Sequence, residues 1–204
     1  MIVIHVFTEE PSAKNVFEIL LPKILPEHVY FKIYPHQGKQ DLDDALKKTI
    51  PSISRIPGSK ILITRDQDAG DCKEIKNEIN QHLENTVKCE YYIRIVCREL
   101  ESWFLGDLPA IKLAYPRFKP EQYAGKANMR NVDKLMSPNK YLLKIIPELD
   151  GMNYLPKLEV SNNISPFLNL NSNTSLSFNQ TLTAISKLAD AEPQNFKQSE
   201  LFKM

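Results

Sequence analysis

The fold is decided by residues 61–71, Ile61-Leu62-Ile63-Thr64-Arg65-Asp66-Gln67-Asp68-Ala69-Gly70-Asp71. Residues 60–65, around Ile61, Leu62 and Ile63, read as a short buried strand, and the run breaks off into Asp66, Asp68 and Asp71. Side chains alternate across a strand with period two, so Asp66 and Asp68 at its end are expected to point the same way. Carboxylates gathered in one place repel each other unless a cation shares the site, and hard cations such as magnesium take oxygen ligands. A plain Asp/Gly turn is the simpler reading of the same residues. The segments on either side decide between the two.

Upstream, residues 2–8 form an apolar strand that runs into Glu9-Glu10-Pro11-Ser12. Val16, Phe17, Leu20, Leu21 and Ile24 then recur at helical spacing until Pro26, with Ser12 or Glu10 as the cap. A second strand at about 29–35 ends in His36-Gln37-Gly38-Lys39, and a helix follows over roughly 41–50. Downstream, Asp71 reads as the cap of a third helix carrying Ile75, Ile79 and Leu83. A fourth strand, Tyr91–Val96, ends in Cys97-Arg98-Glu99-Leu100-Glu101, where the next helix begins. Strands alternating with helices of this length imply right-handed crossovers and a mostly parallel four-stranded sheet with helices on both faces. Ligands of such sheets sit at the carboxyl ends of the strands. Three of the four ends here are acidic: Glu9/Glu10, Asp66/Asp68 and Glu99/Glu101.

After Asp107 the texture changes. Segments 108–115, 131–136, 140–147 and 177–189 read as short helices broken by prolines, 161–175 as an Asn/Ser-rich loop, and the residues from Pro193 as a polar tail. The expected division is an α/β core over 1–107 and a helical appendage over 108–204, packed as one compact unit. Overall charge is only +1, which excludes a global field toward nucleic acid or an acidic membrane. The balance is uneven, because residues 108–149 carry eight Lys/Arg against Glu121, Asp133 and Glu148. Cys72, Cys89 and Cys97 are scattered, without the spacing of a zinc site, which fits thiols in a reducing compartment. No stretch approaches the ~20 apolar residues of a membrane span, so the chain is expected to be cytoplasmic.

Four or five carboxylates without histidine or cysteine ligands suit Mg²⁺ or Mn²⁺, the metals of phosphoryl chemistry. Neither GxxxxGK[ST] nor GxGxxG is present, which excludes a P-loop and a dinucleotide fingerprint. A phospho-receiver domain shares the acidic first and third strand ends. It would place a hydroxyl residue after the fourth strand, where Glu99 and Glu101 stand, and it needs a fifth strand that is missing.

An acidic residue after the first strand and Asp-x-Asp after the third resemble the Toprim fold of topoisomerases, primases and overcoming-lysogenization-defect nucleases. Thr8-Glu9-Glu10-Pro11-Ser12, His36-Gln37-Gly38-Lys39, Asp66-Gln67-Asp68 with Asp71-Cys72, Glu99 through Asp107, and Ser175-Leu176-Ser177-Phe178 are similar to one bacterial family of uncharacterised Toprim-like proteins. The resemblance implies a metal-dependent nuclease, often encoded beside an ABC-type ATPase in phage-defence or mobile elements. It places Glu9 as the candidate general acid/base and Asp66 and Asp68 as metal ligands. Glu99 and Glu101 are both candidates for the remaining ligand, and Lys39 for a phosphate contact. Two departures stand out: Glu10 replaces the glycine that follows the glutamate in many Toprim proteins, and no tyrosine is placed for strand passage. The competing expectation is a non-catalytic Toprim-like subunit of an ATPase complex. The basic stretch 112–144 is the natural place for a phosphate backbone if the core is a nuclease.

Overall fold

A computed structural model describes residues 1–191 of the chain; the polar tail expected from Pro193 lies outside the described residues. Four strands, β1 (Ile2–Thr8), β2 (Val29–Pro35), β3 (Ser59–Asp66) and β4 (Tyr91–Val96), pair in parallel throughout, in the order β2-β1-β3-β4. They alternate with α1 (Pro11–Ile24), α2 (Lys39–Ile53) and α3 (Cys72–Leu83), so the fold is α/β and Rossmann-like. Strand bounds fall within a residue of those read from the sequence, because each strand is an apolar run closed by charged or turn residues.

Alternation along the strands divides the core into two layers. Ile4, Val6 and Leu62 pack on one face with α1, while Phe7, Ile61 and Ile63 pack on the other with Leu42, Leu46 and Ile50 of α2 and Ile75 and Ile79 of α3. Each fully buried Leu, Ile or Phe contributes roughly 1.5–3 kcal/mol of transfer free energy. Crossovers alone would leave β3 and β4 uncovered on the α1 face. The late helix α8 (Leu176–Leu188) fills that space, packing on both strands, so part of the expected appendage is a structural layer of the sheet.

The corner is held by Trp103, in the short helix α4 (Glu101–Leu105). It is fully buried, meets Phe17 and Phe178 edge-on, and donates from Nε1 to Ser177 Oγ at 3.0 Å. Trp103 is thus a core anchor between the sheet layer and the C-terminal helices. Gly106 follows, and a Cβ there would stand 2.2 Å from Asn173 Oδ1, so the backbone approach requires glycine.

Helices α5 (Leu108–Ala114), α6 (Pro138–Ile145) and α7 (Lys157–Ile164) complete the described helices, with five 3₁₀ turns between α5 and α8. The α7 helix corrects the reading of 161–175 as loop from its first residue. Ser161-Asn162-Asn163 has poor helix propensity, but Val160, Ser161 and Ile164 are buried, and the helix packs against α1. Asn15 bonds Ser161 Oγ at 3.3 Å, and Lys23 Nζ bonds Pro166 O at 2.7 Å. Among the described residues no helix is long and apolar enough to cross a membrane.

Candidate functional site

With β2 on one side of β1 and β3 on the other, the chain reverses its direction of winding between β1 and β3. The crevice outside their carboxyl ends is the topological switch point, where open α/β sheets bind ligands. Glu9 leaves β1 there and Asp66 ends β3. The two are joined directly, since the Asp66 N–H donates to Glu9 Oε2 at 3.2 Å.

Strand parity sends the two neighbours of this junction to opposite faces. Arg65 shares the face of Ile61 and Ile63; it is 4% exposed, pairs with Asp43 of α2 at 3.3 Å, and sets Nε 4.0 Å from Glu9 Oε2. Arg65 thereby offsets part of the repulsion among the carboxylates. Asp66 shares the face of Leu62, under α1 and the C-terminal helices. Part of it reaches solvent, yet protein surrounds it densely. Burial first, then the charges of Glu101, Glu10 and Glu9, push its carboxyl well above the ordinary range, with Lys157 opposing.

Glu101 supplies the deepest member. It is 1% exposed, and its Oε2 finds no hydrogen-bond partner. Burial raises this carboxyl to about 7, against the pull of Lys157 and with the push of Glu99 and Glu10. Buried polar atoms are nearly always satisfied, so an orphaned carboxylate oxygen marks a place where stability has yielded to another demand. Glu9 is also raised, by burial before anything else, with the Asp66 N–H opposing and Asp68 adding to the rise.

The sequence reading missed the cation at the centre. Lys157, the first residue of α7, reaches both oxygens of Glu10 at 2.9 Å. Its ammonium is raised above its usual value although burial alone would lower it, because Glu101, Glu10 and Asp66 all attract it. Nothing in its local sequence signals the role; Lys157 arrives by tertiary packing of a helix that propensity does not announce.

The remaining candidates lie at the rim. Asp68 does not continue the strand's alternation: its φ of 51° turns the chain away from the extended path that period two requires, and it is exposed. The turn is locked to Arg98, itself at φ 62°, through Asp68 N–H to Arg98 O at 2.9 Å and Arg98 Nη1 to Asp68 O at 3.0 Å. Two non-glycine residues in this region cost of order 1–3 kcal/mol each, and such strain clusters at functional sites. Glu99 accepts the Asn139 N–H at 2.9 Å, at the start of α6, so of the two late glutamates Glu101 is the one inside. Lys39 opens α2 as an exposed side chain beyond the β2 end. Asp71 is a helix cap, accepting from the N–H groups of Lys73 and Glu74.

Glu10, Asp66 and Glu101 thus gather about Lys157, with Glu9 and Arg65 on the neighbouring side of the junction. Fully ionised, four carboxylates outnumber two cations, and burial together with mutual repulsion raises three of them, Glu9, Asp66 and Glu101. As they stand, no three His, Cys, Asp or Glu side chains among the described residues are grouped to hold a metal ion. The all-oxygen donor set, the surplus charge and the orphaned Glu101 oxygen nevertheless fit a hard divalent cation; the side chains are closed on Lys157.

No curated protein and no solved structure matches the chain. Residues 8–186 match the sequence model of a family described as "Domain of unknown function (DUF4276)". That span runs from the end of β1 to the last turn of α8 and takes in every member of the acidic pocket, and the chain belongs to the DUF4276 family.

Proposed function

We propose that this protein is a Mg²⁺- or Mn²⁺-dependent phosphodiesterase, a nuclease, whose centre is the acidic pocket at the switch point. The observation that carries the reading is Glu101: a buried carboxyl with an orphaned oxygen, raised to about 7, facing Asp66 at the carboxyl end of the sheet. Strongly perturbed carboxyls in a cleft are what proton transfer and metal binding require, and a purely structural role gains nothing from them. Asp66 and Glu101 would hold the cation. A divalent cation bound there polarises a phosphate and lowers the pKa of its water. Glu9 keeps its proton to higher pH than an ordinary glutamate, which suits it to carry a proton to or from the reacting oxygens. Asp68 and Glu99 stand at the mouth, where they orient what enters.

The likeness to Toprim-like proteins supports the same chemistry and extends it to phage defence or a mobile element, with an ABC-type ATPase as partner. Three free cysteines suit the reducing cytoplasm. A second reading, a non-catalytic subunit of such an ATPase complex, is favoured by Lys157, which already supplies one cation to the carboxylates.

Purified protein incubated with plasmid, single-stranded DNA and RNA in Mg²⁺ or Mn²⁺ separates the two readings. Cleavage that falls by about 10²-fold or more in Glu9→Gln and in Asp66→Asn supports the nuclease. Cleavage unaffected by both substitutions removes the pocket as its centre, and no cleavage with any metal favours the subunit.

A further inference from the structure

A sizeable cavity lies outside the acidic pocket. Between the 3₁₀ turns at 127–134 and helix α6, Arg130, Lys134, Lys140 and Lys144 surround a groove of about 570 Å³, and no Asp or Glu lines it. All four side chains are exposed, and none forms an ion pair among the described residues. Two of the three acids that the sequence sets against this stretch are occupied elsewhere, and the third, Glu121, does not line the groove. Asp133 turns inward to Ser175 Oγ and the Ser177 N–H, and Glu148 accepts the Arg117 N–H at 2.6 Å. The floor is apolar: Leu135, half-buried Tyr141 and Met136, which is 70% exposed. Met136 also lines a smaller cavity of about 210 Å³ with Asp68, Arg98 and Glu99, so the groove borders the turns at the carboxyl ends of β3 and β4.

We infer that this groove binds single-stranded nucleic acid, leading the strand past Met136 toward Asp68 and the pocket behind it. The direction of travel rests on the phosphodiesterase reading above; the binding does not. Cations around a concave apolar floor answer to a ligand with anionic phosphates on one side and flat unsatisfied faces on the other. A duplex offers the phosphates but hides its base faces, and an acidic peptide offers charge without planar faces. Unpaired bases supply both, stacking on Tyr141 and lying against Met136 and Leu135.

Fluorescence anisotropy of a labelled oligothymidylate of about 12 nucleotides, in EDTA so that no cleavage occurs, tests the groove separately from the pocket. Four phosphate contacts at about 0.7 each predict a slope of log affinity on log salt near −3, and Lys140→Ala with Lys144→Ala should roughly halve it. Tyr141→Leu keeps apolar volume and should weaken binding by about fivefold or more, with circular dichroism verifying the fold. The equivalent pair Lys47→Ala with Lys48→Ala, exposed on α2 across the sheet, should leave both readings unchanged. Because EDTA removes any metal, binding is read without cleavage, so that a failed nuclease reading leaves this result standing. Equal loss in the α2 pair, an equal affinity for blunt duplex, or displacement by polyglutamate as effective as by oligonucleotide would overturn the inference.

Discussion

Replacing Glu101 by Gln should make the protein more stable at pH 8, not less. The ordinary value of this carboxyl is 4.5, and burial raises it to about 7 in the folded chain. At about 1.36 kcal/mol per pH unit, ionising it costs the folded state about 3 kcal/mol. Over this interval the folded protein binds the proton more tightly than the unfolded chain. Stability is therefore fullest below pH 4.5, falls as pH rises toward 7, and levels off above it. The amide mimics the protonated acid at every pH. Urea unfolding followed by circular dichroism, without divalent ions, should then find Glu101→Gln more stable by about 3 kcal/mol at pH 8 and by less than about 0.5 kcal/mol at pH 4.5. In thermal melts at pH 8 the gain corresponds to about 6–12 °C for a chain of this length. Magnesium at a hundred times its dissociation constant should restore about 2.7 kcal/mol to the wild type and little to the variant. A variant less stable at pH 8, or a difference independent of pH, would show that the carboxylate serves Lys157 as a stabilising partner, and the reasoning would fail.

Three other outcomes can be checked alongside it. Asp68→Asn should reduce cleavage by less than about tenfold where Asp66→Asn costs about 10²-fold or more, because Asp68 is turned out at φ 51° and touches the pocket only through its charge on Glu9. Lys157→Met should destabilise by about 1–3 kcal/mol at pH 8, since Glu10 loses its partner and the surplus of negative charge grows; the loss should shrink near pH 5, where Glu101 holds a proton. Asp71→Ala should lower stability by about 1 kcal/mol, the worth of an N-cap, and leave cleavage untouched.

Much of the frame was legible because the strands are short apolar runs that end in turn chemistry, as in Ile61-Leu62-Ile63 before Asp66. The parallel sheet followed from the spacing of strands and helices, and with it the expectation that Glu9 and Asp66 share one end. Asp68 escaped the reading because alternation holds only while the backbone stays extended, and Asp68 has already left the strand. Glu99 and Glu101 were inseparable in sequence; the Asn139 N–H, forty residues away, draws Glu99 to the rim. Lys157 was beyond reach for the same reason in stronger form. Its helix is made by packing on α1, so neither its secondary structure nor its charge partner, Glu10, is local.

The helix α8 has a consequence for how the protein is made. A ribosome that has released residues 1–107 has produced all four strands and every carboxylate of the pocket. The α1 face of β3 and β4 stays open to solvent until Leu176–Leu188 emerges, and Lys157 comes only shortly before it. Nascent chains of intermediate length therefore carry an apolar sheet face and an uncompensated acidic cluster, a combination that invites chaperones and delays function. The pocket is assembled last, when the chain closes over its own beginning. A partial chain would hold the acidic cluster without its lysine.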